Sequence, residues 1–129
     1  MTTDNATPIY GPTNPTSDQP DPDGRRRFGS VFPLDPANEK LYRELHADTW
    51  PGVLARLSAS GFRNYSVFIA ELAGQRYVIG YYEYEGMDFE GDMKAIDADP
   101  DTQRWLETLD CCTMAGVECG ELERVFFLE

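Results

Sequence analysis

The chain has 129 residues, a length that suits one domain with a single core and not two independent ones. Its 23 acidic and 11 basic side chains leave a formal charge of -12. That balance repels phosphate backbones and anionic lipid alike, which argues against nucleic acid and membrane surfaces as partners.

Residues 1–24 are rich in Thr, Asp, Asn and Pro and, Ile9 and Tyr10 apart, offer almost nothing apolar to bury. Ordering such a segment costs backbone entropy with little return, so it reads as a flexible tail ahead of a folded domain over 25–129. The basic run Arg25-Arg26-Arg27 suits either a phosphate clamp or a solvated approach to the first strand, and the overall charge favours the second.

Arg27 to Phe32 predicts a strand, and Pro33-Leu34-Asp35-Pro36 turns the chain into a helix with Asp35 as N-cap and Pro36 in the first turn. The helix is expected from Pro36 to about Ser60, with Leu41, Leu45, Leu54 and Leu57 as its buried stripe and a kink near Trp50 imposed by Pro51. Gly61 ends it. Phe62 to Ala70 then alternates as a strand, with Phe62, Asn64, Ser66 and Phe68 on one face and Arg63, Tyr65, Val67 and Ile69 on the other. A turn at Ala73-Gly74-Gln75 leads into an antiparallel partner over Arg76 to Glu85. A second helical region follows from Asp88 to about Ala98 and from Asp101 to Met114, broken at Pro100 and capped by Asp99 or Asp101. Leu122 to Leu128 closes as a last strand.

This order is β-α-β-β-α-β, the arrangement of a ferredoxin-like α+β sandwich. Tyr77, Ile79 and Tyr81 share one strand face, and Val78, Tyr82 and Tyr84 share the other. Two helices cover only one face of a four-stranded sheet, so the second apolar face calls for a partner subunit or ligand. Two sheets stacked in a homodimer, each keeping a cleft between its sheet and the first helix, satisfy both requirements.

His46 is the single histidine, with Tyr42 four residues before it and Trp50 four after. On a helix that spacing shares a face, and a phenol, an imidazole and an indole in one column suit proton transfer on a neutral sugar. A packed helix edge produces the same spacing. Asp101-Thr102-Gln103-Arg104-Trp105 reads either as a capped helix with a core tryptophan or as a second wall, and Tyr65 as either core or cleft. Other chemistries lack support. Cys111, Cys112 and Cys119 form no C-x-x-C pair and have one histidine between them, which disfavours a zinc site and an activated thiol. Glu83 and Glu85 read as solvated carboxylates, and no glycine-rich nucleotide loop is present. An odd cysteine count without an apolar amino-terminal segment favours a reducing cytoplasm.

The segment from Phe32 to His46, the Trp50-Pro51 pair, Gly61 with Asn64-Tyr65, Gln103-Arg104-Trp105 and the closing Leu122 to Leu128 together resemble the L-rhamnose mutarotase family. The resemblance implies a dimeric α+β barrel that interconverts the α and β anomers of L-rhamnose without a cofactor. It assigns acid/base work to His46, sugar contacts to Tyr42 and Tyr65, and a pocket wall to Trp105. Trp50 joins the substrate-binding set from its place in the column. Typical members carry a second tryptophan where this chain has Leu106, which bears on the sugar accepted because an indole is a large stacking surface and a donor. The alternatives are action on another neutral or deoxy sugar, a non-catalytic sugar-binding or dimerisation module, and a cofactor-free oxygenase on the same barrel.

Overall fold

The structure, a computed structural model, describes residues 19–114 and 119–128. Most of the expected tail, Ile9 and Tyr10 included, lies outside the described residues. Four strands, β1 (Arg26–Pro33), β2 (Phe62–Leu72), β3 (Gln75–Tyr84) and β4 (Gly120–Leu122), make one antiparallel sheet in the order β2-β3-β1-β4. β2 and β3 are joined through Ala73 and Gly74 at φ 53° and 78°. Two consecutive residues in the left-handed region make the turn whose twist matches that of paired strands. With helices α1 (Glu39–Ala47), α2 (Pro51–Ala59), α3 (Phe89–Ala98) and α4 (Pro100–Leu109), the result is the expected ferredoxin-like α+β architecture.

The expected single kinked helix over Pro36–Ser60 is instead a 3-10 turn and two helices. Asp35 caps as foreseen, accepting from the Ala37 amide at 3.0 Å at the start of the turn Pro36–Asn38. α1 stops at Ala47, however, and Trp50 is extended at ψ 132° as the residue before α2. A residue preceding proline is pushed out of the helical region, and Pro51 is well placed only as a first helical residue. Pro51 therefore breaks the helix, and Trp50 does not share an axis with Tyr42 and His46.

Two further boundaries differ. Of the two caps expected for α4, Asp99 is the one used, taking hydrogen bonds from the Thr102 amide and hydroxyl, each at 2.9 Å. The helix then yields to a 3-10 turn at Asp110–Cys112 before Met114. The last strand is Gly120–Leu122, not Leu122–Leu128. Beyond Leu122 the chain leaves the ladder, where Arg124 forks onto Asp21 at 2.6 and 2.7 Å and the Phe127 ring lies beside the Arg27 and Arg124 guanidinia.

Register fixes the two sheet faces. Phe28 pairs with Tyr82, Ser30 with Gly80 and Phe32 with Val78, while Val67 pairs with Gly80 and Ile69 with Val78. Cross-strand partners share a face. That face carries the helices and two apolar clusters, one around Leu34, Tyr42, Val78 and Cys112, the other around Phe62, Tyr84 and Ile96. The simple alternation expected for β2 fails at Asn64-Tyr65, where two residues oppose Tyr82 alone. This bulge shifts the pleat by one, so Phe62 joins Tyr65, Val67 and Ile69 on the helix side. The opposite face holds Val31, Tyr77, Ile79, Tyr81 and Phe68, with Phe68 and Leu122 exposed.

Candidate active site

α1 presents Tyr42 and His46 one turn apart. Tyr42 is buried, edge-on to Phe32, and anchors the first apolar cluster. His46 is half-buried and stacks on the Tyr42 ring with centroids 4.2 Å apart. The His46 Nδ1 lies 2.8 Å from the Tyr42 carbonyl oxygen. A carbonyl only accepts, so in the neutral ring Nδ1 carries the proton and Nε2 holds the lone pair.

Trp105, from α4, is buried and meets His46 edge-on at 5.3 Å. It meets Trp50 at 5.4 Å in the same manner. Trp50 thus rejoins the histidine through Trp105 and not through helix spacing. Gly52 permits this closeness of α2 and α4, since a Cβ there would run into the Asp101 carboxylate. Leu106, about 100° further round α4, is 55% exposed.

A cleft of about 470 Å³, within the usual range for small-molecule sites, is lined by Tyr42, Arg43, His46, Ala47, Val67 and Ile69. Trp50, Tyr65, Trp105 and Leu106 are outside that lining. The two tryptophans form the packed backing of His46. Tyr65 is aimed by the bulge: Asn64 is left-handed at φ 50°, donates from Nδ2 to Glu83 Oε1 at 2.9 Å, and lets the Tyr65 ring stack on Tyr82 at 5.0 Å.

Desolvation pushes the phenols of Tyr42 and Tyr65 above their ordinary range and that of Tyr82 up to about 12. An ionised Tyr65 would further disfavour ionisation of both Tyr42 and Tyr82. All three stay protonated donors near neutral pH, and none bonds a described residue. Sequence reasoning missed Tyr82, Arg43, Val67 and Ile69. The available signal was Asn64, a residue type that tolerates the left-handed conformation a bulge needs.

Among the described residues no cluster of His, Cys, Asp and Glu is placed to hold a metal, and no helix is long and apolar enough to cross a membrane. The cysteines are unpaired. Desolvation pushes the buried Cys112 thiol up to about 11, which leaves it a poor nucleophile near neutral pH.

The family model for L-rhamnose mutarotase matches residues 27–128. An L-rhamnose mutarotase of Listeria monocytogenes is 38% identical over 45 residues, covering 35% of this chain and 43% of that protein. One of Oceanobacillus iheyensis is 32% identical over 60 residues, 46% of this chain and 56% of that protein. The chain thus matches about half the length of these curated relatives. Among solved structures, the L-rhamnose mutarotase FA22100 of Formosa agariphila superposes with a TM-score of 0.63 at 17% identity, covering 81% of this chain and 99% of that one. A dimeric ferredoxin-like protein from an uncultured marine organism gives 0.56 at 15% identity over 80% and 90%. At these identities the structures speak for the fold, and the match over most of the sequence speaks for the family: the chain belongs to the L-rhamnose mutarotase family.

Proposed function

We propose that this protein interconverts the α and β anomers of L-rhamnose by acid/base ring opening and closure at His46. The observation that carries the reading is the Nδ1 contact to the Tyr42 carbonyl, which leaves Nε2 as the basic nitrogen of the neutral ring beside the cleft. Nε2 takes the proton from the anomeric hydroxyl as the bond between C1 and the ring oxygen breaks. The electron pair on that hydroxyl oxygen becomes the aldehyde carbonyl, and the ring oxygen leaves as the C5 hydroxyl on receiving a proton. Both oxygens are bonded to C1, so one imidazole serves both by taking the proton at one and returning it at the other. After rotation about C1–C2 the reverse steps close the ring on the opposite face.

Tyr42, a phenol held protonated by its burial, donates to the sugar and orients the imidazole it stacks on. Tyr65 contacts the sugar, and Trp105 with Trp50 fixes the histidine from behind. The proton moved comes from the sugar itself, and His46 relays it without a cofactor. The working form is a homodimer paired through the exposed face that carries Phe68 and Leu122, and the unpaired thiols suit the reducing cytoplasm.

Saturation-transfer NMR on L-rhamnose tests the assignment. Wild-type protein is expected to accelerate anomer exchange and His46→Asn to lose most of that acceleration, and exchange at wild-type rate in the variant overturns the role. A second reading, action on another neutral or deoxy sugar, is favoured by Leu106, whose exposed aliphatic side chain stands where typical members have an indole. The same measurement across a panel of aldoses separates the two.

A further inference from the structure

On the helix side of the sheet the two apolar clusters are separated by a row that belongs to neither. Val67 on β2 pairs with Gly80 on β3, Gly80 with Ser30 on β1, and Ser30 with Glu121 on β4. The row therefore crosses all four strands on one face. It is kept low at its centre: a Cβ on Gly80 would lie 2.9 Å from the Ser30 Oγ. On one flank stand Phe32, Val78 and Tyr42, and on the other Phe28, Tyr82 and Phe62. Val67 opens one end into the cleft beside His46, and Glu121 stands at the other end.

Glu121 is exposed and makes no ion pair or hydrogen bond with a described side chain. Asp21, Asp23 and Glu83 near the sheet are each held by arginine, whereas this carboxylate keeps its acceptor oxygens open. Through its partner Ser30 the carboxylate shares the helix-side face with Phe28 and with Tyr82 opposite Phe28, and the Tyr82 ring stacks on Tyr65 at 5.0 Å.

We propose that Glu121 is a specificity-determining residue, the carboxylate that accepts hydrogen bonds from the hydroxyls of an aldose lying along this row with its anomeric end toward His46. The proposal rests on the sugar-acting reading above and adds the far end of the site. Strands are ~4.8 Å apart, so a pyranose over Gly80 and Ser30 lies within reach of groups at both ends. A carboxylate accepts from two adjacent hydroxyls at once, and such charge-assisted bonds are stronger than neutral ones. Tyr42, Tyr65 and Tyr82 supply donors, and Glu121 supplies the acceptor they lack.

The test uses Glu121→Gln and Glu121→Ala in the full chain. Anomer exchange is measured as KM and kcat, and binding of L-rhamnose and of its epimers by calorimetry. Glu121→Ala is expected to raise KM and the dissociation constant about tenfold or more, Glu121→Gln by several-fold, with the loss carried by KM and with discrimination between epimers reduced. Unchanged binding and unchanged discrimination overturn the proposal, as does a loss of kcat at constant KM, which would make Glu121 a proton-transfer group. If wild-type protein binds sugar without accelerating exchange, the mutarotase reading fails while the calorimetric arm still decides Glu121. Wild-type protein that binds none of the sugars overturns both.

Discussion

The His46 ring donates from Nδ1 to the carbonyl of Tyr42, one turn earlier on α1, at 2.8 Å. The same residue that stacks under the imidazole therefore also sets its tautomer, and the basic nitrogen is chosen by backbone geometry independent of any substrate. Nitrogen-15 NMR of the single histidine is expected to report the Nδ1–H form as the dominant neutral species. Proton transfer by a positioned side chain contributes about 10²–10⁴-fold, and His46→Asn is expected to lose a factor in that range with its circular dichroism unchanged.

Trp105 is expected to matter for stability and activity together. It is buried against both His46 and Trp50, so Trp105→Ala removes a core indole and should cost about 3–5 kcal/mol in urea unfolding. Trp105→Phe keeps a ring in place, and should retain most of the stability while lowering exchange through a less firmly held imidazole. Leu106→Ala, at the exposed neighbour, should change stability by less than about 0.5 kcal/mol.

Much of this was legible in the sequence because alternation and caps are local. The β-α-β-β-α-β succession along the chain, the two faces of β3 and the cap at Asp35 follow from spacing alone. Helix spacing aligns Trp50 with His46 only on an uninterrupted helix, yet Pro51 breaks that helix and a tertiary contact with Trp105 brings Trp50 back. Val125, Phe126 and Phe127 look like strand residues and lengthen the expected closing strand, while the ion pair between Arg124 and Asp21 joins positions 103 apart and leaves no local trace. Asp21 itself falls in the segment read as a flexible tail.

That ion pair should be visible in acid. Asp21 is held below its ordinary range, first by the Arg124 hydrogen bonds, with a further bond from Arg27 at 2.8 Å. A carboxylate whose folded pKa is depressed stabilises the fold above its unfolded value, ~3.9, and that contribution is lost as pH falls through the lower folded value. Asp21→Asn leaves two part-buried guanidinia without their shared anion, and should cost about 3 kcal/mol near neutral pH. The gap between wild type and variant should close as pH drops below ~3.9. Urea midpoints from pH 7 to pH 2 measure this, and a constant gap contradicts it.

The open sheet face makes its own prediction. Phe68 is 57% exposed and pairs with Ile79, whose neighbours Tyr77 and Tyr81 share the face. A charge placed there is solvated in a monomer but buried between two sheets. Phe68→Asp is therefore expected to convert a dimer to a monomer in sedimentation at micromolar concentration, while its secondary structure persists. A wild-type monomer under the same conditions removes the basis for the paired-sheet arrangement.

Asn64 tests whether the bulge positions the tyrosines. At φ 50° it occupies a region where a β-branched residue is strained by about 1–2 kcal/mol, and its side chain also donates to Glu83. Asn64→Gly relieves the conformational demand and loses only the hydrogen bond. Glu83 keeps Arg25 at 2.6 Å and Tyr81 at 2.6 Å, so the cost should stay near 1 kcal/mol. Asn64→Val keeps neither the hydrogen bond nor the conformation. The strand can avoid the strain only by losing the bulge, and a one-residue slip carries Tyr65 to the opposite face. The expectation is that Asn64→Val weakens sugar binding far more than Asn64→Gly at matched temperature below both unfolding midpoints. Near-UV circular dichroism should show loss of the stacked Tyr65 and Tyr82 pair in the valine variant alone, and equal binding by the two variants would mean that the bulge does not aim Tyr65 at the ligand.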